Sequence, residues 1–399
     1  MNFELSEEQR ALVGTVSAFA RKESPITRLR RLREDAIGFE RATLQKMGEY
    51  GWLGVMFPEE YGGSGGSFVD AALVLEQLGA TLVPEPVLPM LVAGTAILHA
   101  GTPEQRQRWL QPLTAGESVL SLAFVESQGR NAPCSVKTRA VRSGSGFRLS
   151  GEKRWVLAGH AADALVVSAR TAGSDGDGDG ISLFVVDADA PGVQRQTVKT
   201  MDGHKAAMLR LDDVEVDDSR LLGAEGAGRA ALEAALDVGA AACCAEGAGI
   251  AQALLRMTVE YLKTREQFGV KIGSFQALQH RAVDMFIEAE TCRSTAIMAS
   301  IKVGEADATE RQRAISAAKV QLAVGGRYVS QQAIQLHGGI GITDEHDVGL
   351  YFKRMHVLNT IFGDEEHHLV RYATLPSFVE PLGAAGAGGR GTGGRQPRG

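Results

Sequence analysis

The feature that most constrains the fold of this 399-residue chain is the way the spacing of its apolar residues changes along the sequence. Residues 1–120 keep the helical spacing of apolar side chains, whereas residues 118–222 consist of short apolar runs separated by glycine and aspartate clusters. After Gly223 the spacing is helical again over long segments, such as residues 232–264 and 314–336. Strands that are segregated in this way, rather than alternating with helices, exclude a Rossmann-type sheet. The pattern predicts an α+β fold that is mainly α.

The spacing of the apolar residues, together with the composition of the last segment, divides the chain into four segments. We predict an N-terminal α-helical domain at residues 1–120, a middle β-barrel-like domain at 121–222 and a C-terminal four-helix bundle at 223–381. Residues 382–399 are rich in glycine and arginine and have nothing to bury, which predicts a disordered tail.

Local signals support these elements. Ser6 followed by Gln9 predicts a capping box, and Thr102 followed by Pro103 predicts the start of a later helix. Residues 232–264 are rich in alanine and glycine, so we expect neighbouring helices to approach this one closely.

Composition excludes several classes of function. The net charge of −6 without a long basic run gives no attraction to nucleic acid. Apolar runs such as residues 240–245 are too short to cross a bilayer, and the polar, acidic residues 1–10 do not resemble a signal peptide. The four cysteines lack metal-ligand spacing, so no metal site is expected and a reduced cytoplasm is the simplest location.

Residues 261–285 are the segment with the most distinctive chemistry. They predict the end of one helix, a tight turn and the start of a second helix. Arg265, Gln267 and Phe268 lie within this turn, where a guanidinium can hold a phosphate and an aromatic ring can cover a flat ring. A structural role is the alternative. In that case the arginine is solvated and the phenylalanine anchors the turn to the core, and this segment alone leaves both roles open.

Three motifs lie in order along the chain. They are EEYGGSGG at residues 59–66, REQFG with IGSFQ at 265–276, and QLHGGIG at 335–341. Together they resemble the acyl-CoA dehydrogenase family over about residues 1–380. The resemblance implies helical, β and four-helix-bundle domains in a tetramer that carries FAD and oxidises an acyl-CoA substrate to the 2-enoyl-CoA. It also implies transfer of electrons to an electron-transfer flavoprotein or another acceptor.

In that family each FAD is shared between subunits, and the resemblance assigns one group of residues to a neighbouring subunit's cofactor. These positions are Arg265, Gln267, Phe268, Gln276, Gln335, Gly338 and Gly339. Glycine at 338 and 339 allows close approach of the backbone to a cofactor, although a turn after a helix explains the same residues. Trp155 matches the tryptophan that covers one face of the flavin.

The positions that would serve the chain's own flavin and substrate depart from the family. Val125 stands in place of a threonine, and Leu157 stands where a hydroxyl side chain reaches the flavin. Neither side chain offers a hydrogen-bond donor. The two places at which family members carry the catalytic glutamate are occupied by Gly363 and Gly239.

Two nearby carboxylates are candidates for the base that removes the α-proton of the thioester. Glu246 lies two helical turns after Gly239 in an apolar stretch, and Asp364 follows the second of the two glycines. Each also has a structural interpretation, which for Glu246 is a polar partner in the core. His367 and His368 either contact the flavin or, more simply, cap the helix that follows.

Three functions therefore remain open. The pattern of losses favours a subunit that completes a partner's FAD site in a heterotetramer, like those that degrade steroid side chains in actinobacteria. A homotetrameric acyl-CoA dehydrogenase with a displaced base is the second. A non-catalytic acyl-CoA-binding or scaffold protein is the third.

Overall fold

The computed structural model describes residues 4–376, and its elements follow the order that the sequence predicts. The first part is helical and contains α1 Glu7–Glu23, α2 Ile26–Leu32, α3 Arg41–Glu49, α4 Phe68–Gly79, α5 Val87–Ala100 and α6 Pro103–Thr114. The domain boundaries given above stay predictions, and the predicted tail at residues 382–399 lies outside the described residues.

Local hydrogen bonds explain where the first and last of these helices begin. At the start of α1, Ser6 accepts from the backbone N–H of Gln9 at 3.1 Å while the Gln9 side chain accepts from the backbone of Ser6. Thr102 and Gln105 make the same reciprocal pair before α6, with Pro103 in its first turn. Both predicted helix starts are confirmed.

The middle part is a single mixed sheet. Its strands are β1 Leu120–Ala123, β2 Arg139–Ser143, β3 Gly146–Leu157, β4 Ala164–Arg170, β5 Ile181–Asp187, β6 Val193–Lys199, β7 Lys205–Asp217 and β8 Leu221–Leu222. The strand order is β6-β7-β3-β2-β4-β5-β8, and β1 pairs in parallel with β4. No α-helix lies between β1 and β8, which confirms the predicted segregation of strands.

The last part is helical again. It comprises α7 Arg229–Thr264, the hairpin strands β9 Glu266–Gln267 and β10 Val270–Lys271, α8 Gln276–Lys302, α9 Ala308–Gln321, α10 Arg327–His337, α11 Val348–Thr360 and α12 Glu365–Ala373. A Cβ on Gly249 of α7 would lie 1.9 Å from the carbonyl oxygen of Glu76 in α4. The two helix backbones therefore touch, as the small residues of α7 predict.

Helix α7 also has the length and composition of a membrane span. An 18-residue window of this helix has a mean hydropathy of 1.4, and 94% of that window is buried inside the fold. The expectation that every apolar stretch is too short for a bilayer is therefore wrong as to length. Burial identifies α7 as the central helix of the bundle.

The three parts meet along α5, which contacts both α7 and β1. Its sequence is apolar on all sides, and ten of its 14 residues are buried. Because such a helix has no polar face to turn towards water, it must be enclosed by its neighbours. A cavity of about 520 Å³ is lined by Pro89 and Val92 near the N-terminal end of α5.

Candidate functional site

A cavity of about 520 Å³ lies where α5, β1, the end of β3 and α11 come together, and we call it the main cavity. Its walls are mostly apolar. The lining residues are Pro89, Val92, Ser121, Leu122, Phe124, Val125, Arg130, Asn131, Trp155, Leu157, Lys199, Thr200, Met201, His356, Val357, Thr360, Ile361, Phe362 and Asp364. Trp155, Val125, Leu157 and Asp364, which sequence analysis singled out, therefore line one cavity.

Trp155 forms part of the wall near the mouth of the main cavity. Its side chain is half exposed, and its backbone adopts a left-handed conformation with φ of 51°. Such a conformation is uncommon for a bulky residue and is retained where the surrounding structure enforces it. Two residues earlier on β3, the fully buried ammonium of Lys153 donates to Glu126 at 2.7 Å. This ion pair fixes the strand that presents the indole.

The hydroxyl groups of the main cavity are already used by the protein. Thr360 donates to the carbonyl oxygen of Val357 at 2.8 Å, Ser121 donates to the carbonyl oxygen of Leu157, and Thr200 donates to Asp202. With valine and leucine at 125 and 157, neither of these two positions offers a side-chain donor for the polar edge of a flavin.

Both expected base positions are closed by packing. A Cβ on Gly239 would lie 2.7 Å from the ring of Phe362. A Cβ on Gly363 would lie 2.4 Å from Nε2 of His368, and this glycine has φ of 105°. Because L side chains rarely adopt that conformation, position 363 favours glycine on two grounds. Neither place has room for a carboxylate in this conformation.

Phe362 also divides the space around the main cavity. Its ring stacks on Phe124 with centroids 6.2 Å apart and planes at 12°. The two rings line the main cavity on one side and a polar cavity of about 260 Å³ on the other. In the polar cavity, Asp237 accepts from Arg311 at 2.9 Å and pairs with Arg371, so its charge is already compensated.

The loop that carries Phe362 is held by buried polar groups that sequence reasoning missed. The ammonium of Lys319 donates to the carbonyl oxygens of Leu358 and Ile361 at 2.7 and 2.9 Å. Nε2 of His368 lies 3.0 Å from the carbonyl oxygen of Phe362 and donates to it, since a carbonyl can only accept. Burial, together with the nearby charge of Lys319, lowers the pKa of His368 to about 2. The only indication of this role in the sequence is that Lys319 is a charged residue within an apolar helical stretch.

Asp364 reaches the main cavity but also has a structural task. Its carboxylate accepts from the backbone N–H of His367 at 2.9 Å and caps α12. The prediction that His367 or His368 caps this helix is wrong, because the cap is Asp364.

Glu246 is absent from the lining of the main cavity and is bound to another side chain. Arg354 donates to its two carboxylate oxygens at 2.6 and 3.0 Å, and also donates to Asp202 at 2.9 Å. Burial tends to lower the pKa of Arg354, but these two carboxylates outweigh burial and raise it. The polar partner expected for Glu246 is therefore Arg354, and its role as a base stays a prediction.

A second large cavity, of about 510 Å³, brings together the motif residues near the β9–β10 hairpin, and we call it the hairpin cavity. Its lining residues are Tyr261, Arg265, Gln267, Ile272, Leu278, Arg281, Gln335, Leu336, His337, Gly338, Gly339 and Ile340. Five of the seven positions assigned to a neighbour's cofactor thus share one cavity. Arg281 was missed, although it lies three residues after Leu278 on the same helix face.

Phe268 and Gln276 are not part of that lining. Phe268 is 91% exposed with φ of 55°, and its ring meets Phe275 edge to face at 6.1 Å. The interpretation of Phe268 as a core anchor is wrong, because the ring stands in water. Gln276 begins α8 beside the hairpin cavity.

The hairpin cavity fits the diphosphate of a dinucleotide. The neighbouring acidic groups are already paired, Glu260 with Lys263 and Glu266 with Lys271. Within residues 4–376, the guanidinium of Arg265 therefore has no carboxylate partner. No atom of the described chain lies within 4 Å of a Cβ built on Gly338 or Gly339. A free guanidinium can bind a phosphate through forked donors, and open glycines allow the backbone to approach it closely.

No cluster of metal-ligating side chains occurs in the part of the chain that the structure describes. All four cysteines, including Cys243 and Cys244 in α7, are free. Burial raises the pKa of Cys243 to about 11.

Comparison with known proteins gives consistent results for all three parts. Models of the N-terminal, middle and C-terminal domains of acyl-CoA dehydrogenases match residues 6–117, 121–214 and 226–374. A probable acyl-CoA dehydrogenase of Bacillus subtilis, YngJ, is 33% identical over 360 residues, which cover 87% of this chain and 92% of that protein. The acyl-CoA dehydrogenase IpdE2 of Mycolicibacterium smegmatis is 30% identical, with 92% and 98% covered.

Solved structures agree. A variant of the steroid ACAD Tcur3481-Tcur3483 has a TM-score of 0.83 at 33% identity, with 92% of this chain and 97% of that chain covered. The ChsE4-ChsE5 complex of Mycobacterium tuberculosis gives a TM-score of 0.85 at 28% identity, with 94% and 100% covered. The fold, the two cavities and these matches together show that the chain belongs to the acyl-CoA dehydrogenase family, whose cofactor is FAD.

Proposed function

We propose that this chain is a subunit of a heterotetrameric acyl-CoA dehydrogenase and that it completes the FAD site of a partner subunit. The reaction is that of the family, FAD-dependent α,β-dehydrogenation of an acyl-CoA thioester to the 2-enoyl-CoA. In this assembly the catalytic glutamate belongs to a second acyl-CoA dehydrogenase-like chain.

The contrast between the two cavities carries this proposal. The hairpin cavity retains a free guanidinium at Arg265, an amide at Gln335 and open backbone at Gly338. In the main cavity, by contrast, the ring of Phe362 fills the space beside Gly239. A chain that keeps the residues of the hairpin cavity but has no room for a base at Gly239 or Gly363 is suited to serve a neighbour's cofactor.

The chemistry of each part follows from its residues. FAD supplies the acceptor for the hydride that leaves the β-carbon. Arg265 binds and orients the diphosphate with forked donors, Gln267 and Gln335 offer amides to the adenosine side, and the glycines let the backbone approach. Phe268, held in water by the hairpin, is free to cover a ring on the partner. Trp155 retains the position of a flavin cover in this chain's own cavity.

Further features belong to the same proposal. Two of the matched structures carry names of two-component dehydrogenases, and one of these names specifies a steroid enzyme. We propose the same two-component composition for the assembly that contains this chain. We also propose that the acyl group of its substrate is steroid-derived or otherwise bulky. We also include a tetramer, an electron-transfer flavoprotein as acceptor and a location in the reduced cytoplasm.

Flavin content tests the proposal directly. The chain is purified alone and, separately, with each dehydrogenase-like chain encoded beside it, and the visible spectrum is recorded after desalting. We expect little flavin in the single chain and about two flavins per tetramer in the complex. One tightly held flavin per chain in the single-chain sample would refute the proposal.

A pair of variants assigns the flavin to the hairpin cavity. Arg265→Gln is expected to release FAD from the complex because it removes a guanidinium that lines the hairpin cavity and has no carboxylate partner within residues 4–376. Arg148→Gln is the matched control, since Arg148 is exposed on β3 and pairs only with Glu215. Equal flavin loss in both variants would contradict the assignment.

A self-sufficient homotetramer is the second candidate, because Asp364 does line the main cavity. This candidate function requires that the chain purified alone retain bound flavin and that its turnover depend on Asp364. A chain that holds no flavin in any combination would instead be the non-catalytic acyl-CoA-binding or scaffold protein.

A further inference from the structure

Helix α2 makes ion pairs with a distant segment of the C-terminal bundle. Arg30, within α2, donates through Nη2 to Oδ1 of Asp347 at 2.7 Å and through Nε to the same oxygen at 3.1 Å. Its guanidinium also donates to the backbone carbonyl oxygens of Asp344 and Glu345. Arg33, one residue beyond α2, donates through Nη1 to Oδ1 of Asp344 at 2.8 Å and through Nη2 to Oδ2. We call these contacts the α2 clamp.

The geometry of the α2 clamp is stronger than that of an ordinary surface pair. Arg33 forms two parallel bonds to one carboxylate, which is the arrangement that fixes orientation as well as distance. The two arginine side chains are 23% and 22% exposed, while their partners Asp347 and Asp344 are 34% and 56% exposed. The bond from Arg33 lowers the pKa of Asp344 to about 2, so this carboxylate stays charged throughout the physiological range.

The clamped segment directly follows the turn that forms one wall of the hairpin cavity. That turn is a short 3₁₀ helix at Gly338–Ile342, and the clamp holds the chain only two residues beyond it. On its outer side the turn is open, since a Cβ on Gly338 or Gly339 would meet no atom of the described chain within 4 Å. Ile342 is 81% exposed at its end. The turn is thus fixed at its ends by α10 and the α2 clamp and free on the face that a cofactor would approach.

We propose that Arg30 and Arg33 are positioning residues for the cofactor of the neighbouring subunit, acting through Asp344 and Asp347 on the Gly338–Ile342 turn. The inference rests on the proposed function, in which this turn faces a partner's FAD. The physical reason is pre-organisation. A glycine-rich turn has many conformations when free, and the clamp removes that freedom before the cofactor arrives.

Arginine-to-glutamine variants of the heterotetramer test the clamp. Arg30→Gln and Arg33→Gln are each expected to weaken FAD binding about fivefold, the equivalent of a well-formed ion pair of about 1 kcal/mol. The dissociation constant is measured by the return of flavin fluorescence on dilution. Arg31→Gln is the matched control, because Arg31 lies on the same helix but pairs with Glu40 at 2.6 Å.

A variant that keeps the positive charge separates positioning from general destabilisation. Arg33→Lys retains a cation beside Asp344 but cannot form the two parallel bonds, so it is expected to recover part of the FAD affinity that Arg33→Gln loses. The visible circular dichroism of the bound flavin should change in Arg33→Gln and return towards the wild type in Arg33→Lys. High salt should weaken FAD binding more in the wild type than in Arg33→Gln, because screening acts on the clamp.

Three results would overturn the proposal. They are unchanged FAD affinity in both arginine-to-glutamine variants, an equal loss in Arg31→Gln, or no recovery in Arg33→Lys. Failure of the proposed function has a different signature, a single-chain sample that holds one flavin per chain. The clamp remains testable in that case, since the same turn would face a neighbour in a homotetramer.

Discussion

Replacing Glu246 by glutamine distinguishes a base from a structural carboxylate. Glu246 is 8% exposed and receives two bonds from Arg354, which is shared with Asp202. A glutamine can still accept the bond from Nε, but its NH₂ group then faces the donor Nη2. One charge-assisted hydrogen bond is lost, which corresponds to about 1.5–3 kcal/mol of stability. Because Asp202 still neutralises Arg354, no buried charge is left alone.

The expected outcome is a loss of stability with little loss of turnover. For a domain of this size, 1 kcal/mol lowers Tm by about 2–4 °C, so we expect a decrease of roughly 3–12 °C. Removing Arg354 itself leaves the buried carboxylate of Glu246 without its cation, whereas Asp202 keeps its contacts with Thr200 and His204. Arg354→Met should therefore be worse, by about 3–5 kcal/mol. Differential scanning calorimetry of the heterotetramer measures both.

Turnover decides the interpretation. General-base catalysis typically contributes about 10²–10⁴-fold, so loss of a true base would be obvious. We expect kcat of the Glu246→Gln complex to stay within about twofold of the wild type. Glu290→Gln on α8 is the matched control, since Glu290 only accepts a bond from Gln252 at 2.6 Å. A hundredfold fall in kcat with an unchanged Tm would refute the reasoning and make Glu246 the base.

Three further predictions follow from the loop before α12. Gly363→Glu should not give the single chain dehydrogenase activity, because its Cβ would lie 2.4 Å from His368 and the backbone has φ of 105°; turnover gained by the purified variant would contradict this. Asp364→Asn should retain stability and turnover, whereas Asp364→Ala should lose about 1 kcal/mol of helix capping in urea unfolding; an inactive asparagine variant would favour the homotetramer. The pKa of His368 is lowered in the folded chain, so this histidine takes up a proton in the unfolded chain first as pH falls below 6.5. The free energy of unfolding therefore decreases as the pH falls below 6.5, by about 1.4 kcal/mol at pH 5.5. His368→Gln should flatten that loss, and an unchanged pH dependence would show that another group titrates.

Much of the fold follows from the sequence because its signals are local. A capping box such as Ser6 with Gln9 spans one helical turn, and the change from helical to strand spacing is visible in any short window. Five residues of the hairpin cavity were equally accessible, since Arg265, Gln267, Gln335, Gly338 and Gly339 lie in contiguous motifs. Arg281 lies outside those motifs and was missed. Nothing local, however, assigns Arg354 as the partner of Glu246, 108 residues earlier in the chain.

The helix predicted at residues 314–336 contains a change of helix type that the sequence did not indicate. A π-helical turn at Leu322–Gly326 joins α9 to α10, and the backbone stays right-handed helical at both junctions. A Cβ on Gly325 would lie 2.5 Å from Gln321 and from Glu288 of α8, and a Cβ on Gly326 2.7 Å from Met355 of α11. The π-helical turn therefore occurs where α8 and α11 lie close to this helix, which periodicity in one segment cannot reveal.

The packing around Phe362 also has an evolutionary consequence. A mutation that restored glutamate at 239 would meet the Phe362 ring, and one that restored it at 363 would meet His368. At either position a second change must come first, and that change alone brings no catalytic gain for selection to retain. Under the proposed function, the base can be lost in one mutational step, whereas its recovery needs two in the right order. Once such a subunit depends on a partner for catalysis, that dependence is difficult to reverse in its descendants.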